Sequence, residues 1–323
     1  MEKRFLPVSI KEIKERGWDA LDVILITGDA YVDHPSYGTA VIGRILENRG
    51  YRVGVISQPD WRDTKDFKKL GKPRLFFGIS AGNMDSMVAN YTANKKPRRK
   101  DDYSPKGQPC LRPDRAVIVY SNRVREAFGD ITLVIGGIEA SLRRFAHYDW
   151  WDNTVRRSII FDARADILVY GMGERQVIEI ADRLKKGRGL KDIRGTAIIA
   201  RSIEDAIRED ADFIEIPSYE DVRADKEKFN DAFTLIYRNQ DPFKGKTIIQ
   251  KHGERYLVQY PPQLPLSERE MDEIFGLPYA RNPHPSYEAS GGIPGFETVK
   301  FSIISHRGCC GECSFCGLYM HQG

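Results

Sequence analysis

"DVILITGDAYVDHPSYG" (residues 22–38) opens on an apolar run, Val23–Thr27, bounded by Asp22 and Gly28. A run this short and β-branched reads as a strand buried on both faces. A polar loop follows, then a helix with Val41, Ile42, Ile45 and Leu46 on one face, ending at Gly50. Strand, loop and amphipathic helix in that order are the unit of an α/β sheet.

The unit repeats. "YRVGVISQ" (51–58), "RLFFGIS" (74–80), "ITLVIGG" (131–137) and "ADILVYGMG" (165–173) read as further strands, with "TAIIA" (196–200) and "DFIEIPS" (212–218) adding two more. Helices are expected over "RAVIVYSNRVREAF" (115–128) and around Val177, Ile178, Ala181 and Leu184, the latter closed by Lys185, Lys186 and Gly187. The proline- and charge-rich segment 94–114 reads as a surface excursion. The expectation is a doubly wound, mostly parallel sheet.

From residue 217 the pattern changes to a long polar helix (217–240), a hairpin over "KTIIQKHGERYLVQYPP" (246–262) and a helix over "SEREMDEIFGL" (267–277). A Pro/Gly-rich passage (277–297) leads to a last expected strand, "TVKFSIIS" (298–305). The expected division is an arm (1–20), the α/β domain (21–216), a connector (217–296) and a terminal segment (297–323).

The net charge of +4 is small for 323 residues and does not by itself indicate nucleic acid. The basic run "KKPRRK" (95–100) has no interleaved aromatics and reads as a solvated loop. The amino terminus lacks an apolar signal region, and no run reaches the roughly 18 apolar residues of a membrane span. Four of the five cysteines fall within residues 309–316. Clustered thiols fit a reducing compartment, so a cytoplasmic protein is expected.

Cys309, Cys313 and Cys316 form C-x3-C-x2-C. Three thiolates in a short loop can hold a four-iron cluster and leave one iron open. Two other readings of the same residues stand beside this one. One is a structural Cys3His zinc site using His306 or His321. The other is the ferredoxin-like register Cys310-x2-Cys313-x2-Cys316, which no fourth cysteine and proline follow. Cys110 reads as an ordinary thiol.

Gly136 and Gly137 end an expected strand, where an open α/β sheet places its ligand crevice. "IEASLRRFAHYDWWD" (138–152) then packs Glu139, Arg143, Arg144 and His147 into a short span. It reads either as a substrate or docking surface, or as a solvated loop with tryptophans capping the core. Asp33 and His34 follow the first strand at the same edge, where a hydrogen-bonded loop histidine is the plainer reading.

"TGDAYVDHPSYG" (27–38), "GGIEASLRRFAHYDWWDN" (136–153), "HPSYEASGGIPGFETVKFSI" (284–303) and "HRGCCGECSFC" (306–316) resemble the YgiQ-type radical SAM family. The resemblance implies a 4Fe–4S cluster on Cys309, Cys313 and Cys316, with S-adenosylmethionine on the open iron and Phe315 near its adenine. It implies a reductant protein as partner and a 5′-deoxyadenosyl radical as the reactive species; the substrate stays unnamed. Cys310 departs from the family, which usually carries an aromatic there. A complete radical SAM barrel is larger, and an eight-stranded barrel takes about 250 residues. Only its first strand and cluster loop are expected here, as in a truncated gene product or one half of a split enzyme. The remainder of the barrel is then a partner, on the same or a separate chain.

The sheet also resembles cobalamin-binding domains, but the D-x-H-x-x-G spacing fails: Asp33 and His34 are adjacent and Gly38 lies four beyond. Cobalamin is therefore not expected. The contrasting function is a non-catalytic α/β binding module with a zinc-filled or inert tail.

Overall fold

The computed structural model describes residues 5–208, 211–304, 307–308, 311, 313 and 316–322. Nine strands make one mixed sheet: β1 (Val23–Thr27), β2 (Val53–Ser57), β3 (Phe76–Ser80), β4 (Thr132–Ile135), β5 (Ile167–Val169), β6 (Thr196–Ala200), β7 (Phe213–Ile216), β8 (Thr247–His252) and β9 (Arg255–Gln259). The chain divides into two compact units, residues 1–133, 137–139 and 266–307, and residues 134–136, 140–265 and 308–323.

In the first unit β1 lies between β2 and β3, parallel to both, with Val23 opposite Val53 on one side and Phe76 on the other. All five residues of β1 are buried, as a strand covered on both faces requires. The helices include α1 (Ile10–Glu15), α2 (Gly38–Asn48) and α3 (Ala116–Phe128). Ser9 and Glu12 cap α1 reciprocally, and Glu12 also reaches His284 Nε2 at 3.0 Å. A two-residue strand, Val32–Asp33, pairs antiparallel with Asn282–Pro283. This pairing of distant dipeptides was not foreseen, because two residues carry no periodicity.

In the second unit β4 and β5 are parallel, as are β7 and β8, whereas β6 is antiparallel to both β5 and β9, and β8 to β9. The hairpin was expected as part of a connector, but β9 pairs directly with β6, and the antiparallel pairs β5–β6, β6–β9 and β8–β9 make the sheet mixed. Its buried run, Leu257–Gln259, explains the insertion: both faces are covered.

Two further expectations need correction. The long helix 217–240 is two helices, α6 (Tyr219–Ala224) and α7 (Lys226–Arg238). Asp225 adopts an extended backbone and accepts from the Glu227 N–H at 2.8 Å, a cap that competes with helix continuation. The last expected strand is absent among residues 298–304, where Phe301 and Ile303 are 90% and 91% exposed. A strand needs a ladder partner, and none pairs with these residues in the described structure.

Candidate functional site

At the carboxyl edge of β1 and β3, in the first unit, Arg112 lies fully buried between two carboxylates. Its Nη1 is 2.9 Å from Asp29 Oδ1 and donates to the Ala81 carbonyl at 2.9 Å. Its Nε and Nη2 donate to Asp101 Oδ2 at 3.1 and 2.8 Å. Asp29 also accepts from the Asn83 N–H at 2.7 Å. Burial pushes the Asp29 carboxyl up to about 6 despite the Arg112 cation. Gly82 has φ +109, and a Cβ there would overlap the Asp29 carboxylate. The segment read as a surface excursion thus brings Asp101 and Arg112 inward to fill this edge.

Asp33 is buried in an ion pair with Arg44 and accepts from the Ala280 N–H at 2.7 Å. His34 is fully buried; its Nδ1 accepts from the Ser36 N–H at 3.1 Å, and its ring meets Phe296 edge-on. Burial lowers its basicity, with Arg281 adding to the effect. Glu139 accepts from the backbone N–H of Ser86 at 2.8 Å and of Val117 at 3.0 Å. It therefore satisfies the starts of two helices. Glu139→Ala strands two buried donors and is expected to cost about 2–4 kcal/mol, measured by urea unfolding against wild type.

The second unit gathers the end of the chain around residues 140–142, the last turn of helix α4 (Gly137–Leu142). Gly137, at φ +79, opens that helix, and Gly136 precedes it in extended conformation. Within the unit, the Ser141 hydroxyl lies 2.9 Å from His321 Nδ1 and accepts from the Gly171 N–H at 3.3 Å. His321 belongs to α8 (Leu318–Gln322). A Cβ on Gly317 would lie 3.0 Å from Leu142 Cδ1, so the turn after Cys316 rests on α4. Burial, with the Arg144 cation, pushes the His321 imidazole down to about 4, so it is neutral at pH 7.

Arg144 lies in the same place. Its Nε donates to Gln259 Oε1 at 2.5 Å and its Nη1 to the Ser141 carbonyl at 2.6 Å. Its guanidinium lies 4.8 Å from the centre of the Tyr170 ring. His147 sits in a short hairpin, His147–Asp149 with Thr154–Arg156, its Nδ1 3.1 Å from the Phe145 carbonyl. Burial and the Arg143 cation push its imidazole down to about 4. Arg143 accepts from the Ile159 N–H through its own carbonyl.

Cys313 is exposed and Cys316 half-buried, both as free thiols, in a turn closed by the Cys316 N–H donating to the Cys313 carbonyl at 2.9 Å. Cys309 and Phe315 lie outside the described residues. Among the described residues no three His, Cys, Asp or Glu side chains are grouped to hold a metal ion. Also among them, no helix is long and apolar enough to cross a membrane. The residues that sequence reasoning missed here are Ser141, Tyr170 and Gln259. "VYGMG" marks only a strand end, and Gln259 sits in a hairpin with nothing polar in its pattern to flag it.

Comparison with known proteins places these features in context. A UPF0313 protein of Clostridium botulinum is 57% identical over 322 residues, 99% of this chain and 50% of that protein. One from Clostridium perfringens is 52% identical over 325 residues, 100% of this chain and 49% of its own length. The chain thus spans about half the length of the curated relatives it matches. The solved structure of the radical S-adenosylmethionine methyltransferase TsrM from Kitasatospora setae, with cobalamin and [4Fe-4S] cluster bound, aligns with 55% of this chain and 27% of its own. Its TM-score is 0.38 at 19% identity. Residues 5–302 match the family described as Radical SAM N-terminal, and the chain belongs to that family.

Proposed function

We propose that this chain is the amino-terminal part of a radical SAM enzyme whose cluster loop is Cys309, Cys313 and Cys316. The observation that carries the reading is the pair of free thiols, Cys313 and Cys316, in one tight turn whose trailing residue packs on α4. Accessible thiols unspent on disulfides suit iron. When bound, a 4Fe–4S cluster and S-adenosylmethionine supply a 5′-deoxyadenosyl radical, given one electron from a reductant protein.

The chain's own residues bind and position. Cys309, Cys313 and Cys316 would hold the iron and Phe315 would lie near the adenine, while the His321–Ser141 contact fixes the segment that follows the loop. His321, whose Nδ1 makes that contact, is one of the two histidines a Cys3His zinc site could use; the other, His306, lies outside the described residues. Cobalamin has no part in this reading, because Arg112 and its two carboxylates fill the edge of β1 and β3. The remainder of the barrel would come from the half of the longer relatives that this chain does not cover.

Metal analysis after anaerobic reconstitution tests the reading. About four iron and four sulfide per chain are expected, with thiolate-to-iron charge-transfer absorbance that Cys313→Ala or Cys316→Ala removes. One zinc per chain, or a full cluster in either variant, sinks it.

A further inference from the structure

Three arginines among the described residues are buried: Arg44, Arg112 and Arg144, each 3% exposed or less. Arg44 is paired with Asp33 and Glu47, and Arg112 with Asp29 and Asp101. Arg144 has no carboxylate among the described residues. Its Nε and Nη1 are spent on neutral oxygens, those of Gln259 and Ser141, and its Nη2 is buried with no hydrogen-bond partner. Tyr170 and Phe145 present ring faces to it, at 4.8 and 5.5 Å, which attract the cation without neutralising it. A buried guanidinium stays protonated, so it needs an anion.

The position is built. The Arg144 carbonyl accepts from the Ser158 hydroxyl at 2.5 Å, so backbone and side chain are both fixed. The unspent nitrogen lies on the same residue that bonds the Ser141 carbonyl, and the Ser141 hydroxyl meets His321, five residues after Cys316. The site therefore belongs to the surroundings of the segment that follows the cluster loop.

We propose that Arg144 is the counter-ion of a monoanionic carboxylate, the acid group of the molecule on which the radical chemistry acts; this last step rests on the proposed function. The charge follows from the donors. The guanidinium carries one positive charge and the adjacent imidazole is neutral, so a single negative charge is matched and a phosphate dianion is not, while the single unspent nitrogen offers a one-point contact. A carboxylate on S-adenosylmethionine shares this chemistry, and the experiment separates the two sources.

The test uses the full chain without its cluster, unfolded thermally in sodium acetate or sodium phosphate against sodium chloride at constant ionic strength. Acetate is expected to raise the melting temperature saturably and phosphate to match chloride. Arg144→Gln is expected to lose the acetate response, and Cys313→Ala to keep it, so loss of the cluster reading leaves this site standing. A crystal structure of the wild-type chain in acetate gives a second readout should the Arg144 variant not fold. Acetate oxygen on Nη2 supports the site; a carboxylate of the chain itself, a water or chloride there overturns it, as does an equal acetate response in Arg144→Gln. On reconstituted chain, acetate retained in the presence of S-adenosylmethionine supports a separate acid molecule. Displacement assigns the carboxylate to the cofactor and overturns the substrate assignment.

Discussion

Replacing Arg112 by methionine is expected to destabilise the first unit by about 3–5 kcal/mol, enough to unfold many domains of this size. The substitution leaves Asp29 and Asp101, both nearly inaccessible, facing each other without their shared cation. The sign of the pH dependence is fixed by Asp29. Its folded carboxyl, at about 6, lies above its ordinary value of 3.8, so the folded state binds that proton more tightly. Through this group, wild-type stability falls as pH rises from 3.8 towards 6 and is level above. Without Arg112 the carboxyl moves higher still, since the cation is what holds it down. The variant's deficit is therefore largest at neutral pH and shrinks on acidification. Urea unfolding at pH 7.5 and pH 5 measures it, with Asp29→Asn/Arg112→Met expected to recover part of the loss at the higher pH. An unchanged midpoint in Arg112→Met would show the clamp to be incidental.

The reconstituted chain alone is expected to release less than one 5′-deoxyadenosine per chain when given reductant and S-adenosylmethionine. Cleavage needs the cofactor's methionine and adenosine parts both held, and misplacement by about 1 Å can cost on the order of a hundredfold. In the proposed function the chain contributes only the thiolates and Phe315. Phe301 and Ile303, just before the loop, are almost wholly exposed and stand where a barrel strand was expected. In the proposed full-length form they gain their ladder and their cover from the second half. Adding in trans the half of the Clostridium botulinum relative that this chain does not cover is expected to raise the yield above one. Multiple turnovers by the chain alone would show that half to be dispensable.

The parallel strands were legible because burial on both faces writes an unbroken apolar run, as at Val23–Ile26 and Leu133–Ile135. The β8–β9 hairpin was legible as a hairpin, from Gly253 between two alternating runs, but not as a member of the main sheet. Strand pairing is a long-range choice that periodicity does not encode. The strand expected over 298–305 rested on propensity alone, and no strand forms among the described residues 298–304. At the sites, the cysteine spacing stands out in any reading. The arginine clamp at Asp29 does not, because Asp101 and Arg112 sit in a charged, proline-rich segment indistinguishable by composition from a solvated loop. Arg144 was singled out by position, but that no carboxylate among the described residues pairs with it is visible only in three dimensions.

The pairing of Val32–Asp33 with Asn282–Pro283 has a consequence for how the protein is made. Asp33 bonds a backbone 247 positions away, and Glu12 a histidine 272 positions away. A ribosome has therefore to release almost 300 residues before the first unit can close, while the uninterrupted stretch 140–265 of the second unit is already out. Contacts of such separation form slowly. During synthesis both units wait for later residues, the first for 266–307 and the second for 308–323, but the amino-terminal strands, translated first, wait longest with an unfinished surface that a chaperone can shield.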